Sequence, residues 1–166
     1  MRLIQPQPVP PFVDVEAELA GCIGAVATTF YIGRHVYSLR FECYPEEVIS
    51  WRGVTAFHGI AGDGLLHVVK FDNAINAIDG SRAYAPMEPA MRLSVPQIFA
   101  LTDHLAGGID RYISERAPKT IIGVPNSAKL QRWYRHLVAR TQVSAHLLSM
   151  VPTAYHTYDM LLIHRQ

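Results

Sequence analysis

"AMRLSVPQIFALTDHLAGGIDRYISERAPKTIIGVPNSAKLQRWYRHLVAR", residues 90–140, decides the fold. Within it Ile98, Leu101, Leu105, Ile109, Tyr112 and Ile113 recur at helical spacing, which predicts a helix over 94–116. Ser94 with Gln97 three residues later has the pattern of a capping box, and Pro96 falls in the first turn, where no amide donor is needed. Gly107 and Gly108 each cost a helix roughly 1 kcal/mol relative to alanine, so close packing against a sheet is their expected reason. Pro118 ends the helix. "KTIIGVP" (119–125) then reads as a buried strand, and Asn126 or Ser127 caps a second helix with Leu130, Trp133, Tyr134, Leu137 and Val138 on its apolar face. "MRLS" (91–94) is a short strand leading into the first helix.

Upstream the pattern changes to strands. "AVATTFYI" (25–32) and "HVYSLRFEC" (35–43) are rich in β-branched and aromatic residues, joined by a turn at Gly33-Arg34. "GVTAFHGI" (53–60) and "GLLHVVKF" (64–71), separated by "AGDG", read as a hairpin. Only "YPEEVISWR" lies between the second and third of these strands, room for about one helical turn. "FVDVEAELAGC" (12–22) predicts a short helix, 73–90 a long polar connection, and 144–151 with 157–164 a closing pair of strands. The expected fold is α/β (α+β): a mixed, mostly antiparallel central sheet with two main helices packed on it. It forms a single domain over 13–166 behind a Pro-rich arm over 1–12, which is either a solvated tail or a docking arm for a homodimer or another protein partner.

Bulk composition excludes several classes. The chain has 166 residues, 49% of them hydrophobic and 17% charged, with a formal net charge of +1. That is ordinary globular composition with no global field toward nucleic acid. Apolar runs such as "MLLI" are too short to span a bilayer, and no signal region opens the chain, so a cytoplasmic location without membrane contact is expected. Cys22 and Cys43 are the only cysteines, too few for a disulfide framework or a cysteine zinc site.

The order strand, turn, three strands, helix, strand, helix, two strands resembles the GCN5-related N-acetyltransferase (GNAT) family, over about three quarters of the chain. "IIGVPNSAKLQRWYRHL" (121–137) is the sharpest local match, similar to that family's fifth strand and following helix. The stretch 94–140 is also similar to phage-encoded proteins with an acetyltransferase-like C-terminal half. The resemblance implies acyl transfer from acetyl-CoA or another acyl-CoA to a small-molecule or protein amine. It implies Tyr134 as the acid that protonates the departing thiolate, at one residue beyond the family's usual spacing from Asn126. The alternative it leaves is a GNAT-shaped protein without catalysis that acts in binding or assembly.

In the family an Arg/Gln-x-x-Gly-x-Gly/Ala run leads into the helix that holds the CoA pyrophosphate. Here Arg92-Leu93-Ser94-Val95-Pro96-Gln97 stands in its place. Arg92 matches the basic position and Ser94, Val95 and Gln97 form the helix head, but both glycines are lost and Pro96 deletes a donor. The junction reads as a good cap and a poor phosphate cradle. Lys129, Arg132, His136 and Arg140 make a basic stripe on the second helix, a solvated face or else a contact for phosphate groups of nucleic acid or a CoA 3′-phosphate. His58 and His67, on neighbouring strands with Asp63 between them, are candidate bases, since imidazole titrates near neutrality; the plainer reading is a solvated sheet face. A metal site from His35, His58 and His67 is not expected. Nine residues at 44–52 are too few for the family's substrate-covering helices, so cover would come from 73–90, where Tyr84 and Glu88 are candidate contacts, or from a second subunit.

Overall fold

The computed structural model describes residues 8–51, 63–73, 92–125, 128–140, 146–151 and 160–165. Its elements in chain order are β1 (Val13–Asp14), β2 (Gly24–Ile32), β3 (His35–Pro45), α1 (Glu46–Trp51), β4 (Leu65–Asn73), α2 (Val95–Arg116), β5 (Thr120–Gly123), α3 (Ala128–Arg140), β6 (His146–Val151) and β7 (Met160–Arg165). They build a seven-stranded sheet in the order β1-β2-β3-β4-β5-β7-β6, in which β1 is a two-residue edge. Every pairing is antiparallel except β4 with β5. A parallel pair needs a long crossover, and the chain from Asn73 to Thr120, with α2 in it, supplies one.

Alternation along the strands sorts the side chains onto two faces. Val26, Phe30 and Ile32 of β2, Tyr37, Leu39 and Phe41 of β3, Val69 of β4 and Ile121 of β5 join Leu101, Leu105, Ile109, Tyr112 and Ile113 of α2 and Tyr134 and Leu137 of α3 in one core. Both long helices therefore cover the same face. The opposite face carries a smaller cluster of Tyr44, Leu66, Val68 and Ile122, with Cys22 and Val48 packed on it. Among the described residues no helix is long and apolar enough to cross a membrane.

Several expectations need correction. Residues 12–22 are not a helix. Val13 and Asp14 pair with Ala27 and Val26, and the Val15 amide donates to the Ala25 carbonyl, so this segment extends the open edge of β2 instead. Arg92–Ser94 form no strand. The expected strand at 53–60 lies outside the described residues, and the strand paired with β4 in place of a hairpin partner is β3, over nine register positions from Tyr37↔Asn73 to Pro45↔Leu65. α1 is the single short helix that the space after β3 allows.

The described part of the arm, residues 8–12, is not a solvated tail. It lies on α2 and β2: the Val9 carbonyl accepts from Arg111 Nη1 at 2.7 Å, and the Pro10 carbonyl from the Thr28 hydroxyl at 2.9 Å. Phe12 stands edge-on to Phe41 and Tyr112, which stack on each other. Only the second glycine of the α2 pair is explained by its neighbour. A Cβ on Gly108 would land closer than 3.0 Å to Leu39 on the sheet, whereas one on Gly107 would make an ordinary contact with Val9 of the arm at 3.4 Å.

Candidate functional site

The parallel pairing of β4 with β5 is registered at only two positions, His67↔Ile121 and Val68↔Ile122. Beyond them β4 runs on beside β3 to Asn73, while β5 ends at Gly123 and leaves through Val124 and Pro125. Local chemistry favours the parting, since Gly123 weakens the strand and Pro125 has no amide to donate. A wedge opens between the C-terminal ends of two parallel strands, where such sheets usually hold ligands. Among the described residues no strand pairs with β4 on this side past Val68.

Both long helices begin at this end of the sheet. The α2 head sits at the β2–β3 turn, with Gln97 Nε2 only 2.7 Å from where a Cβ of Gly33 would lie; φ of +60° reserves that position for glycine. α3 starts at Ala128, five positions after β5 ends at Gly123. On the helix-covered face the wedge is flanked by Phe71 of β4, Trp133 edge-on to it at 6.5 Å, and Tyr134, whose ring lies against Gly123.

Tyr134 is 3% exposed, and burial pushes its phenol well above the usual range, so it stays protonated at neutral pH. Arg92, Ser94, Val95 and Gln97 come together at the α2 head. Gln97 Oε1 accepts from the Ser94 amide at 2.9 Å and from its hydroxyl at 3.1 Å, which realises the capping contact. Arg92 is exposed and Val95 is 64% exposed, so the head is open to solvent at those residues. Lys129 falls in the first turn of α3. Asn126, His58, Tyr84 and Glu88 lie outside the described residues.

His67 does not sit on a solvated face. It is buried on the α2 side, with Nδ1 at 2.7 Å from the Tyr112 hydroxyl and Nε2 at 3.7 Å from Cys43 Sγ. Burial lowers its pKa, which keeps the imidazole neutral. Its register partner Ile121 is two residues from Gly123, so His67 lies at the closed root of the wedge, below Tyr134. Cys43 is no nucleophile, because burial, with the charges of Cys22 and Asp63, pushes its thiol up to about 11. His35 pairs with Ile32, eight β3 positions from the register partner of His67. At about 3.4 Å per residue the two imidazoles are some 27 Å apart and cannot share an ion.

The opposite face holds a polar hub that sequence reasoning missed. Glu42, with no side-chain exposure, accepts four hydrogen bonds: Oε1 from the Glu18 amide at 3.0 Å and Arg40 Nε at 2.8 Å, and Oε2 from the Tyr44 hydroxyl at 2.5 Å and Lys70 Nζ at 2.9 Å. Lys70 also pairs with Glu18 at 2.7 Å. Burial alone would raise the Glu42 pKa, but the bonds from Tyr44, the Glu18 amide and Lys70 outweigh it and hold the carboxyl below its ordinary value. A signal was present in "LRFECY" (39–44), where Arg40, Glu42 and Tyr44 alternate with apolar residues at a period of two. No family model matches this chain, and no curated protein or solved structure is significantly similar to it.

Proposed function

We propose that the protein is a divergent GNAT-like N-acyltransferase that moves an acyl group from an acyl-CoA to an amine. The observation that carries this reading is the wedge, where a two-position parallel pairing opens at the end of the sheet from which both long helices start. The edge of β4 from Val69 to Phe71, which β5 has left, offers amides and carbonyls to an extended amide-bearing chain such as that of a CoA thioester. Arg92 and the open α2 head then face its diphosphate, and Lys129 in the first turn of α3 suits the 3′-phosphate.

In the transfer the amine attacks the thioester carbonyl, a C–N bond forms and the C–S bond breaks. The amine proton goes to a base and the thiolate takes a proton. Tyr134 suits the second task, because a phenol kept neutral by burial carries a proton to give. His67, neutral at the root of the wedge, suits the first, either directly or through the Tyr112 hydroxyl that it touches. His58 is the other candidate base.

One observation favours the non-catalytic alternative, a GNAT-shaped binding or assembly protein. Val95 and Pro96 crown the α2 head in place of glycines, and Gln97 folds back onto Ser94. Calorimetric titration with acetyl-CoA separates the two. The transferase reading expects saturable binding that Arg92→Ala weakens, and a turnover that Tyr134→Phe lowers while binding is kept. Absence of binding at millimolar acetyl-CoA removes it and leaves the alternative, which size-exclusion behaviour with and without residues 1–12 then tests.

A further inference from the structure

We infer that Arg40 and Lys70 form a binding site for a small molecule bearing a carboxylate, on the sheet face opposite α2 and α3. Donors and acceptors in the hub do not balance. A carboxylate has about four acceptor positions, and Glu42 uses them on the Glu18 amide, Arg40, Tyr44 and Lys70. Arg40 has used only Nε, and Lys70 has spent two bonds, on Glu18 and Glu42. Among the described residues nothing accepts from the two terminal nitrogens of Arg40. Both side chains are nevertheless mostly buried, at 20% and 19% exposure.

Position strengthens the case. Arg40 and Lys70 are directly opposite each other in the β3–β4 register, so the guanidinium fork and the ammonium stand side by side. The cross-strand neighbour of Arg40 on β2 is only Ala27, and the preceding same-face residue on β3 is Ser38, so small groups flank the fork. The Nε bond to buried Glu42 fixes the guanidinium plane in advance, which is what a planar, two-toothed partner needs. The charge balance selects a carboxylate over a phosphate. Glu42 and Glu18 already match the two cations, so a second full negative charge on the group held in the fork would meet repulsion; a phosphate brings one there, whereas the two charges of succinate sit on separate carboxylates. Lys70 also lies two residues past Val68, on the part of β4 that β5 has left, so the site borders the wedge. The site stands independently of the acyl-transfer reading.

Calorimetric titration of the full chain with succinate tests it, with acetate, succinamide and inorganic phosphate as comparisons. Succinate is expected to bind saturably, succinamide not at all, and phosphate more weakly than succinate. Arg40→Lys keeps the charge beside Glu42 but loses the fork, and is expected to weaken succinate at least tenfold, the worth of a charge-assisted pair. Ala27→Asp places a carboxylate across from Arg40 and is expected to abolish succinate binding by occupying the fork. No saturable binding at millimolar succinate, undiminished affinity in Arg40→Lys, or phosphate binding as tightly as succinate overturns the proposal. If Ala27→Asp does not fold, Arg40→Lys decides.

Discussion

Alanine at Gly107 and at Gly108, introduced one at a time, should move stability in opposite directions although the two positions are adjacent in α2. Each change relieves the helix of a glycine, worth about 1 kcal/mol. At Gly107 the new methyl meets Val9 Cγ2 at 3.4 Å, an ordinary contact, so most of that gain should survive. At Gly108 the methyl would fall closer than 3.0 Å to Leu39 Cδ2, and Leu39 is 1% exposed, so it can give way only by shifting within the core. Overpacking of that kind costs about 2 kcal/mol, which exceeds the helix gain and leaves a net loss. The two variants should therefore differ by about 2 kcal/mol, roughly 4–8 °C in Tm for a domain of this size. Thermal and urea unfolding followed by circular dichroism measure it. Both variants shifting in the same direction, or Gly108→Ala matching or exceeding the parent, would refute the packing argument.

Three further outcomes are expected. Glu42→Ala leaves Arg40 and Lys70 buried without their shared partner and should cost about 3–5 kcal/mol in urea unfolding. Because the folded Glu42 pKa lies below its unfolded value, the hub is fully stabilising above the ordinary carboxylate range. That stabilisation is lost as pH falls through the depressed value, so the acid limb of the stability–pH curve should flatten in Glu42→Gln. Phe12→Ala removes the arm's edge-on contacts with Phe41 and Tyr112 and should lower stability by about 2 kcal/mol, with increased proteolysis of the arm; unchanged stability would mean that the docked arm contributes nothing.

Local pattern alone sufficed for the elements whose signals are short-range. The 3.6-residue repeat of α2, the capping pair Ser94 and Gln97, the turn at Gly33 and the period-two strands β2 and β3 are all legible in residues 24–45 and 94–116, because each depends on neighbours a few positions away. Val13–Asp14 departs from its local pattern for the opposite reason: its helical composition yields to the edge of β2, a partner that exists only once the sheet has formed. The candidate site divides along the same line. Tyr134, Arg92 and the α2 head could be named from the chain, yet the wedge beside them exists because β4 and β5, whose registered residues Val68 and Ile122 are 54 positions apart, meet at two positions and part.

The Arg40–Glu42–Lys70 hub and the burial of His67 are likewise products of register. A strand pattern says that Arg40, Glu42 and Tyr44 share a face, but not that Lys70 and Glu18 will converge on it from 28 positions downstream and 24 upstream of Glu42. Nor does it say which face the helices will cover, which is what puts His67 inside beside Tyr112. Periodicity and turn chemistry are properties of neighbouring residues, and those the chain specifies unaided. Charge pairing, burial and the opening between β4 and β5 depend on which distant strands become neighbours, and only the assembled sheet decides that.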